Sequence, residues 1–382
     1  MTLYDIILNT LESRKIAKVQ MYAPYYVCSA MAHLFNIKNK TEPVYYEAGR
    51  IPDMRIHIMF VAPPGFSKSF WLEQFLRGNR SIFGTTSIQC AFEGTMTEAA
   101  WTGTIRFMDE NKEPVIRPGA AHEFQTAILG IEEFSALTNM MKSQHSKLLD
   151  NALLTSLDSG WLFKRLAAGP IRYITHITLH TGTQPARFDL SSGLGRRFMF
   201  LLFNPSKGEM DEIKLARRRS QNILGDSAAL SEIRQRVRYI QDSIKRIQTV
   251  VFDRSIQKAF DTLPMPHYEE PLYERLFLGY TLATQDFNEH VVVKTDTESM
   301  RLLTQVVKWR RQVKRGSEVS QVASIINEAG GVMTIRQFRE KMLDFGVDWQ
   351  GSTELMNQLQ RMRVVIVSKG EIRLWRRRTS GK

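Results

Sequence analysis

The chain has 382 residues, 43% of them hydrophobic, and its 52 Lys and Arg against 39 Asp and Glu leave a net charge of +13. That apolar content can bury a large core in two or three domains, and the basic balance points to a polyanionic partner, since clustered Lys and Arg displace counterions from a phosphate backbone. No apolar run reaches the ~18 residues of a membrane span, acidic Asp5 and Glu12 break a signal-peptide layout, and two cysteines, Cys28 and Cys90, exclude a disulfide framework and a cysteine-based zinc ribbon. A cytoplasmic setting without a membrane partner is therefore expected. The eight histidines have no metal-ligand spacing and read as core or surface residues.

Residues 1–50 read as an N-terminal helical segment, with helices over Tyr4 to Leu11 and Tyr26 to Leu34. From 51 to 208 strands and helices alternate. Ile56 to Val61, Ser87 to Ala91, Ala127 to Ile131, Ile174 to Thr181 and Phe198 to Phe203 are the strand candidates, an α/β pattern that argues a parallel five-stranded sheet with crossover helices. Residues 209–316 read as helices, Ile233, Val237, Ile240, Ile244 and Ile247 forming one amphipathic stripe. Residues 317–382 read as three helices, a hairpin turning at Ser368-Lys369-Gly370-Glu371, and a basic tail, which is the element order of a winged helix.

The chemistry starts where the first strand ends. Ala62-Pro63-Pro64-Gly65-Phe66-Ser67-Lys68-Ser69 follows an apolar strand and opens a helix, as a phosphate-binding P-loop does, although Ala62 and Ser67 replace its outer glycines. Small residues still admit backbone N–H groups to phosphates. Pro64, Gly65, Phe66 and Ser67 are thus candidate loop contacts, Lys68 the candidate partner of the β- and γ-phosphates, and Ser69 a candidate Mg²⁺ ligand. An ordinary strand-to-helix turn reads the same way locally.

An ATPase also needs a metal-binding acid and a base that polarises water, both at the end of a neighbouring strand. Ala127-Ile128-Leu129-Gly130-Ile131-Glu132-Glu133-Phe134 supplies Glu132 for Mg²⁺ and Glu133 for the water, although two acids after an apolar run are also a common solvated strand end. Gln184, after the fourth strand, is placed to contact the γ-phosphate and water. Arg196 and Arg197, before the fifth strand, have no evident role in a monomer. In a ring, Arg197 would enter the neighbour's site as an arginine finger.

This order of motifs resembles the AAA+ module of the minichromosome-maintenance (MCM) replicative helicases over roughly residues 20 to 204. The resemblance rests on Arg50-Ile51-Pro52-Asp53 with the strand that follows, Ser67-Lys68-Ser69, Gly119-Ala120, Ile131-Glu132-Glu133-Phe134, Gln184-Pro185 and Arg196-Arg197-Phe198. It implies an AAA+ P-loop NTPase fold with a helical lid and C-terminal winged helix, ATP and Mg²⁺ as cofactors, DNA as partner, and a homo-oligomer, a hexameric ring. It also implies two hairpins. The first spans Thr104 to Ile116 with Lys112 in its polar turn, and the second spans Trp161 to Ile171 with Lys164 and Arg165 as DNA contacts, although alignment on the Ala-Gly step would put Ala167 at the family's lysine. Arg275 is the nearest candidate for a second sensor arginine. In the C-terminal unit, Arg361 on the third helix and Lys369 in the wing are the DNA-contact candidates.

The family's large N-terminal region has no counterpart here, which suits a virus or mobile element. The leading expectation is an ATP-driven, ring-forming DNA helicase or translocase acting in replication. The alternatives are an origin-binding initiator or helicase loader that does not unwind, and a non-enzymatic DNA-binding regulator with a decayed P-loop.

Overall fold

The computed structural model describes residues 1–42, 44–46, 49–50, 53–62, 68–78, 80–94, 96–107, 114–134, 147–166, 169–184, 193–203, 207–220, 227–344, 349–361 and 364–375. The chain forms two compact units, Met1–Arg311 and Gln312–Lys382. In chain order the first runs α1 (Leu3–Ser13), α2 (Val19–Thr41), β1 (Tyr45–Tyr46), β2 (Gly49–Arg50), β3 (His57–Val61), α3 (Lys68–Leu76), β4 (Cys90–Glu93), α4 (Glu98–Thr102), β5 (Gly103–Phe107), β6 (Pro114–Pro118), α5 (Ala120–Glu123) and β7 (Ile128–Ile131). It continues with α6 (Lys147–Asp158), β8 (Trp161–Leu166), β9 (Gly169–Ile174), β10 (Thr178–Thr183), β11 (Phe198–Leu202), α7 (Lys207–Ser220), α8 (Ser227–Lys245), β12 (Thr249–Phe252), α9 (Arg254–Asp261), α10 (Glu270–Thr284), β13 (His290–Val293) and the first part of α11 (Thr297–Glu328), whose residues from Gln312 on belong to the second unit.

The expected α/β core with a parallel five-stranded sheet is present. β11-β3-β10-β7-β4 pair in that order, every neighbour parallel, so that by sequence the strands lie 5-1-4-3-2. β3 is buried along its whole length, as a parallel strand covered on both faces must be. β10 is equally buried despite its polar sequence, because three of its polar side chains meet partners. The Thr178 hydroxyl lies 2.8 Å from His33 Nδ1, His180 Nε2 lies 2.7 Å from the Ser29 hydroxyl, and the Thr181 hydroxyl donates to the Ile131 carbonyl at 2.8 Å.

The N-terminal helices belong to this core. Thr2 and Asp5 close a reciprocal capping box at the start of α1. Tyr22 on α2 stacks on Trp309 at 5.4 Å and meets Phe60 of β3 edge-on at 5.1 Å. α2 also crosses α10 where Gly279 stands, and a Cβ there would collide with the Cys28 carbonyl. The stretch 209–316, expected to be helical throughout, additionally holds β12 and β13. These two pair in parallel through the crossover α9–α10 and extend through β1 to antiparallel β2. Their Val-rich runs are four residues each, too short for periodicity to reveal. No helix among the described residues is long and apolar enough to cross a membrane.

The second unit contains β14 (Val332–Thr334), α12 (Ile335–Asp344), α13 (Trp349–Arg361), β15 (Val365–Ser368) and β16 (Glu371–Leu374), with the strands in antiparallel order β14-β16-β15. Thr334 and Gln337 cap α12 reciprocally. Lys369 and Gly370 both adopt positive φ, 52° and 81°, the two-residue turn that suits a twisted hairpin. The expected hairpin is there, and β14 adds a strand to it.

At the amino edge of the central sheet lies a buried charge cluster. Arg55 is 0% exposed. Its Nε donates to both Asp53 carboxylate oxygens at 2.9 Å, Nη1 to the Ile177 carbonyl at 2.7 Å, and Nη2 to the Ser156 carbonyl at 3.0 Å. Burial alone would raise the Asp53 carboxyl, but the Arg55 charge and hydrogen bonds hold it well below the usual carboxylate range. Arg55→Met would leave that carboxylate buried without its guanidinium and strip donors from the carbonyls. The expected destabilisation is about 3–5 kcal/mol, measured by urea unfolding; a loss under about 1 kcal/mol would show the cluster to be peripheral.

Burial also keeps the core histidines neutral, pushing His33 down to about 4 and His180 to about 3, with His57 likewise well below its ordinary value. Above pH ~6.5 the unfolded imidazoles are neutral too, and these residues add no pH dependence. Below it the unfolded chain binds protons that the folded chain refuses, so their stability contribution is lost as pH falls from about 6.5 towards 4, at about 1.4 kcal/mol per unit per histidine. Thermal melts should show the midpoint dropping between pH 7.5 and 5, and a flat midpoint would contradict neutral burial.

Candidate active site

β3, β7 and β10 all end at one edge of the sheet, and the sequence candidates cluster there. Lys68 is the first residue of α3, beyond the end of β3, and Ser69 follows it, half-buried. Glu132 and Glu133 follow Ile131, the last residue of β7, and Gln184 follows Thr183, the last of β10; all three are half-buried. Lys68 Nζ lies 2.9 Å from Glu133 Oε2. Pro64, Gly65, Phe66 and Ser67 lie outside the described residues, as does Lys112.

Two details of β10 hold this edge together. The Thr181 hydroxyl ties to the end of β7, as above, and Gly182 lies where a Cβ would stand 2.7 Å from the Glu132 carbonyl and 3.0 Å from Lys68 Cβ. The Lys68 stem therefore runs across a strand that has no side chain at that point. Sequence reading passed over Gly182, although a glycine inside a strand does signal close approach.

The arrangement has the makings of a polyphosphate site. Lys68 and Glu133 meet at the carboxyl ends of parallel strands, Ser69 and Glu132 are their chain neighbours, and α3 starts there with a helix N-terminus whose N–H groups attract anions. Among the described residues no three His, Cys, Asp or Glu side chains gather as a metal site. A metal here would take Ser69, Glu132 and phosphate oxygens, which suits Mg²⁺, an ion usually bound through one or two carboxylates and its substrate.

Arg197 is not brought to this edge. Phe198 pairs in register with His57, so Arg197 lies level with the start of β3, at the opposite edge from Lys68. There it donates to Asp158 Oδ2 at 2.8 Å, and Arg310 braces the same turn by donating to the Gly195 carbonyl at 3.2 Å. Arg275 is also at the amino edge, donating to the Arg55 carbonyl at 3.1 Å.

Both expected hairpins are present, as the antiparallel pairs β5–β6 and β8–β9. Lys164 points to the covered side of β8 and pairs with Glu98 of α4 at 2.7 Å, whereas Arg165 is exposed. Sequence reading missed the neighbours that share Arg165's side of the hairpin, Trp161, Phe163 and Arg172. In the second unit Arg361 is the last residue of α13, and Lys369 is exposed at the tip of the β15–β16 turn.

No protein-family model and no curated protein matches the chain. The Gly182 contact is open to direct measurement. Gly182→Ala must displace either backbone or the Lys68 stem, and should destabilise by about 1–3 kcal/mol. Gly208→Ala, in α7 with nothing within 4 Å of the added methyl, should be neutral or slightly stabilising. Equal urea midpoints for the two variants would refute a close-packed edge.

Proposed function

We propose that the chain is an ATP-hydrolysing motor of the AAA+ type, MCM-like, which assembles into a ring and moves along DNA as a helicase or translocase. The observation that carries this reading is the 2.9 Å contact of Lys68 with Glu133 at the carboxyl edge of a parallel sheet whose strands lie in the order β11-β3-β10-β7-β4. Ligands of open α/β sheets bind outside the carboxyl ends at the point where strand order reverses. Here the chain passes from β10 over β3 to β11, and Lys68 and Gln184 follow the two strands that meet there.

In this reading Lys68 takes the β- and γ-phosphates of ATP, with the backbone of Pro64 to Ser67 around them. Ser69 and Glu132 would hold Mg²⁺, which supplies positive charge against the phosphate oxygens. Glu133 accepts a proton from water as the water oxygen bonds to the γ-phosphorus and the bridging P–O bond to ADP breaks; inorganic phosphate leaves, and Gln184 orients the water. Arg197 lies too far along its own sheet to join this site. It would complete the site of an adjoining subunit, and that requirement supports a ring. The helices and three-stranded sheet of the second unit support a winged helix, with Arg361 and Lys369 as its duplex contacts.

ATPase assays with and without single-stranded DNA test the reading. Lys68→Ala should abolish turnover, while Arg197→Ala should bind ATP normally and lose ~10³-fold or more in kcat. Mixing the two inactive proteins should restore part of the activity, because some junctions then join an intact Lys68 to an intact Arg197. Undiminished ATPase in Arg197→Ala would sink the shared site, and failure to displace a strand from forked DNA would leave an ATPase that loads or initiates.

A further inference from the structure

The β8–β9 hairpin presents one face whose large side chains stand exposed among the described residues. On β8 the outward positions are Trp161, Phe163 and Arg165, and their cross-strand partners on β9 are Ile174, Arg172 and Pro170. Trp161 is 60% exposed, Phe163 57% and Ile174 39%. Large rings side by side in water forgo the gain of burial and mark a surface that meets a partner.

The charge on this face selects the partner. Its six outward positions carry two arginines and no carboxylate. Glu98, the acid that approaches the hairpin, is taken up on the reverse side by Lys164 at 2.7 Å. Arg172 lies over the Phe163 ring, 4.8 Å from its centroid, a cation–π contact that fixes a guanidinium beside a ring without neutralising it. Among the described residues neither Arg165 nor Arg172 is engaged by an acid. The face therefore offers π-surfaces and uncompensated positive charge together.

We propose that this outer face is a stacking platform for single-stranded DNA, with bases lying on Trp161 and Phe163 and with Arg165 and Arg172 holding the flanking phosphates. Duplex DNA fits less well, because its bases are stacked on one another and its outer surface offers no π-face to the rings. A second copy of this chain would bring a net +13 surface to two unpaired arginines. The choice of DNA rests on the motor reading above; the stacking itself does not.

Trp161 and Phe163 are two residues apart on one strand, ~6.7 Å, about twice the 3.4 Å rise of stacked bases along a DNA strand. A strand whose successive bases meet both rings is held extended. The platform lies on the stem of the hairpin and grips bases, so it is insensitive to which base is present.

The test compares fluorescence anisotropy of labelled oligothymidylate with that of an abasic strand of equal length, using the full chain without nucleotide. The wild type should bind the thymidylate strand about tenfold or more tightly than the abasic one. The Trp161→Ala, Phe163→Ala double variant should lose that difference and leave abasic binding within about twofold. Trp161→Tyr should keep it. Arg165→Gln with Arg172→Gln should weaken both strands alike and flatten the salt dependence.

Equal losses on both strands in the aromatic variant would overturn the platform. So would unchanged thymidylate binding, with or without a drop in oligomeric mass by sedimentation; a drop would reassign the face to contact between copies. ATPase measured alongside separates the two readings. Base-dependent binding without hydrolysis keeps the platform and removes the motor, whereas DNA-stimulated hydrolysis with base-blind binding does the reverse.

Discussion

The first unit is organised around a single fully buried guanidinium. Arg55 spends its donors on Asp53 and on carbonyls from two other elements, Ile177 just ahead of β10 and Ser156 near the end of α6. A buried ion pair is costly unless its remaining hydrogen-bonding capacity is used, and here it is used. The charge also faces the last carbonyls of α6, where a helix dipole favours a cation. Three chain segments that are distant in sequence are thereby fixed at the amino edge of the sheet. Because β3, β10 and β7 then run parallel in one continuous register, fixing one edge fixes where Lys68, Glu133 and Gln184 emerge at the other.

The same helix end links this cluster to Arg197. The Asp158 carbonyl accepts from Arg55 at 3.3 Å while its carboxylate pairs with Arg197 at 2.8 Å. Arg310 adds a second brace on the turn that carries Arg197. In the proposed ring, the residue lent to a neighbour would be held by the element that also sets the sheet's amino edge. One subunit's contributions to two neighbouring sites, Lys68 and Arg197, would then be separated by the length of one sheet.

Much of the site was legible because its signals are local. An apolar run ended by two acids located β7 and its carboxylates, a Pro-Gly loop followed by Lys-Ser located the end of β3, alternation with a polar turn located the first hairpin, and the family resemblance located the second. What escaped was long-range. Alternation along β8 says that Trp161, Phe163 and Arg165 share one side and Lys164 the other; only the position of Glu98, far away in sequence, decides which side is covered. Arg55 reads as an ordinary basic residue before a strand until Asp53, Ile177 and Ser156 surround it. Gly182 is meaningful only once the Lys68 stem lies across it. The β12–β13 pair was hidden by brevity, its strands being too short to oppose the helical signal around them.

The pairing of Lys68 with Glu133 bears on how a site of this kind would be controlled. A carboxylate that shares its lone pairs with an ammonium at 2.9 Å is a weak acceptor for a proton from water. A polyphosphate carries more negative charge than one carboxylate and competes for the same ammonium. In the proposed motor the substrate would compete with Glu133 for Lys68, whose stem lies against Gly182.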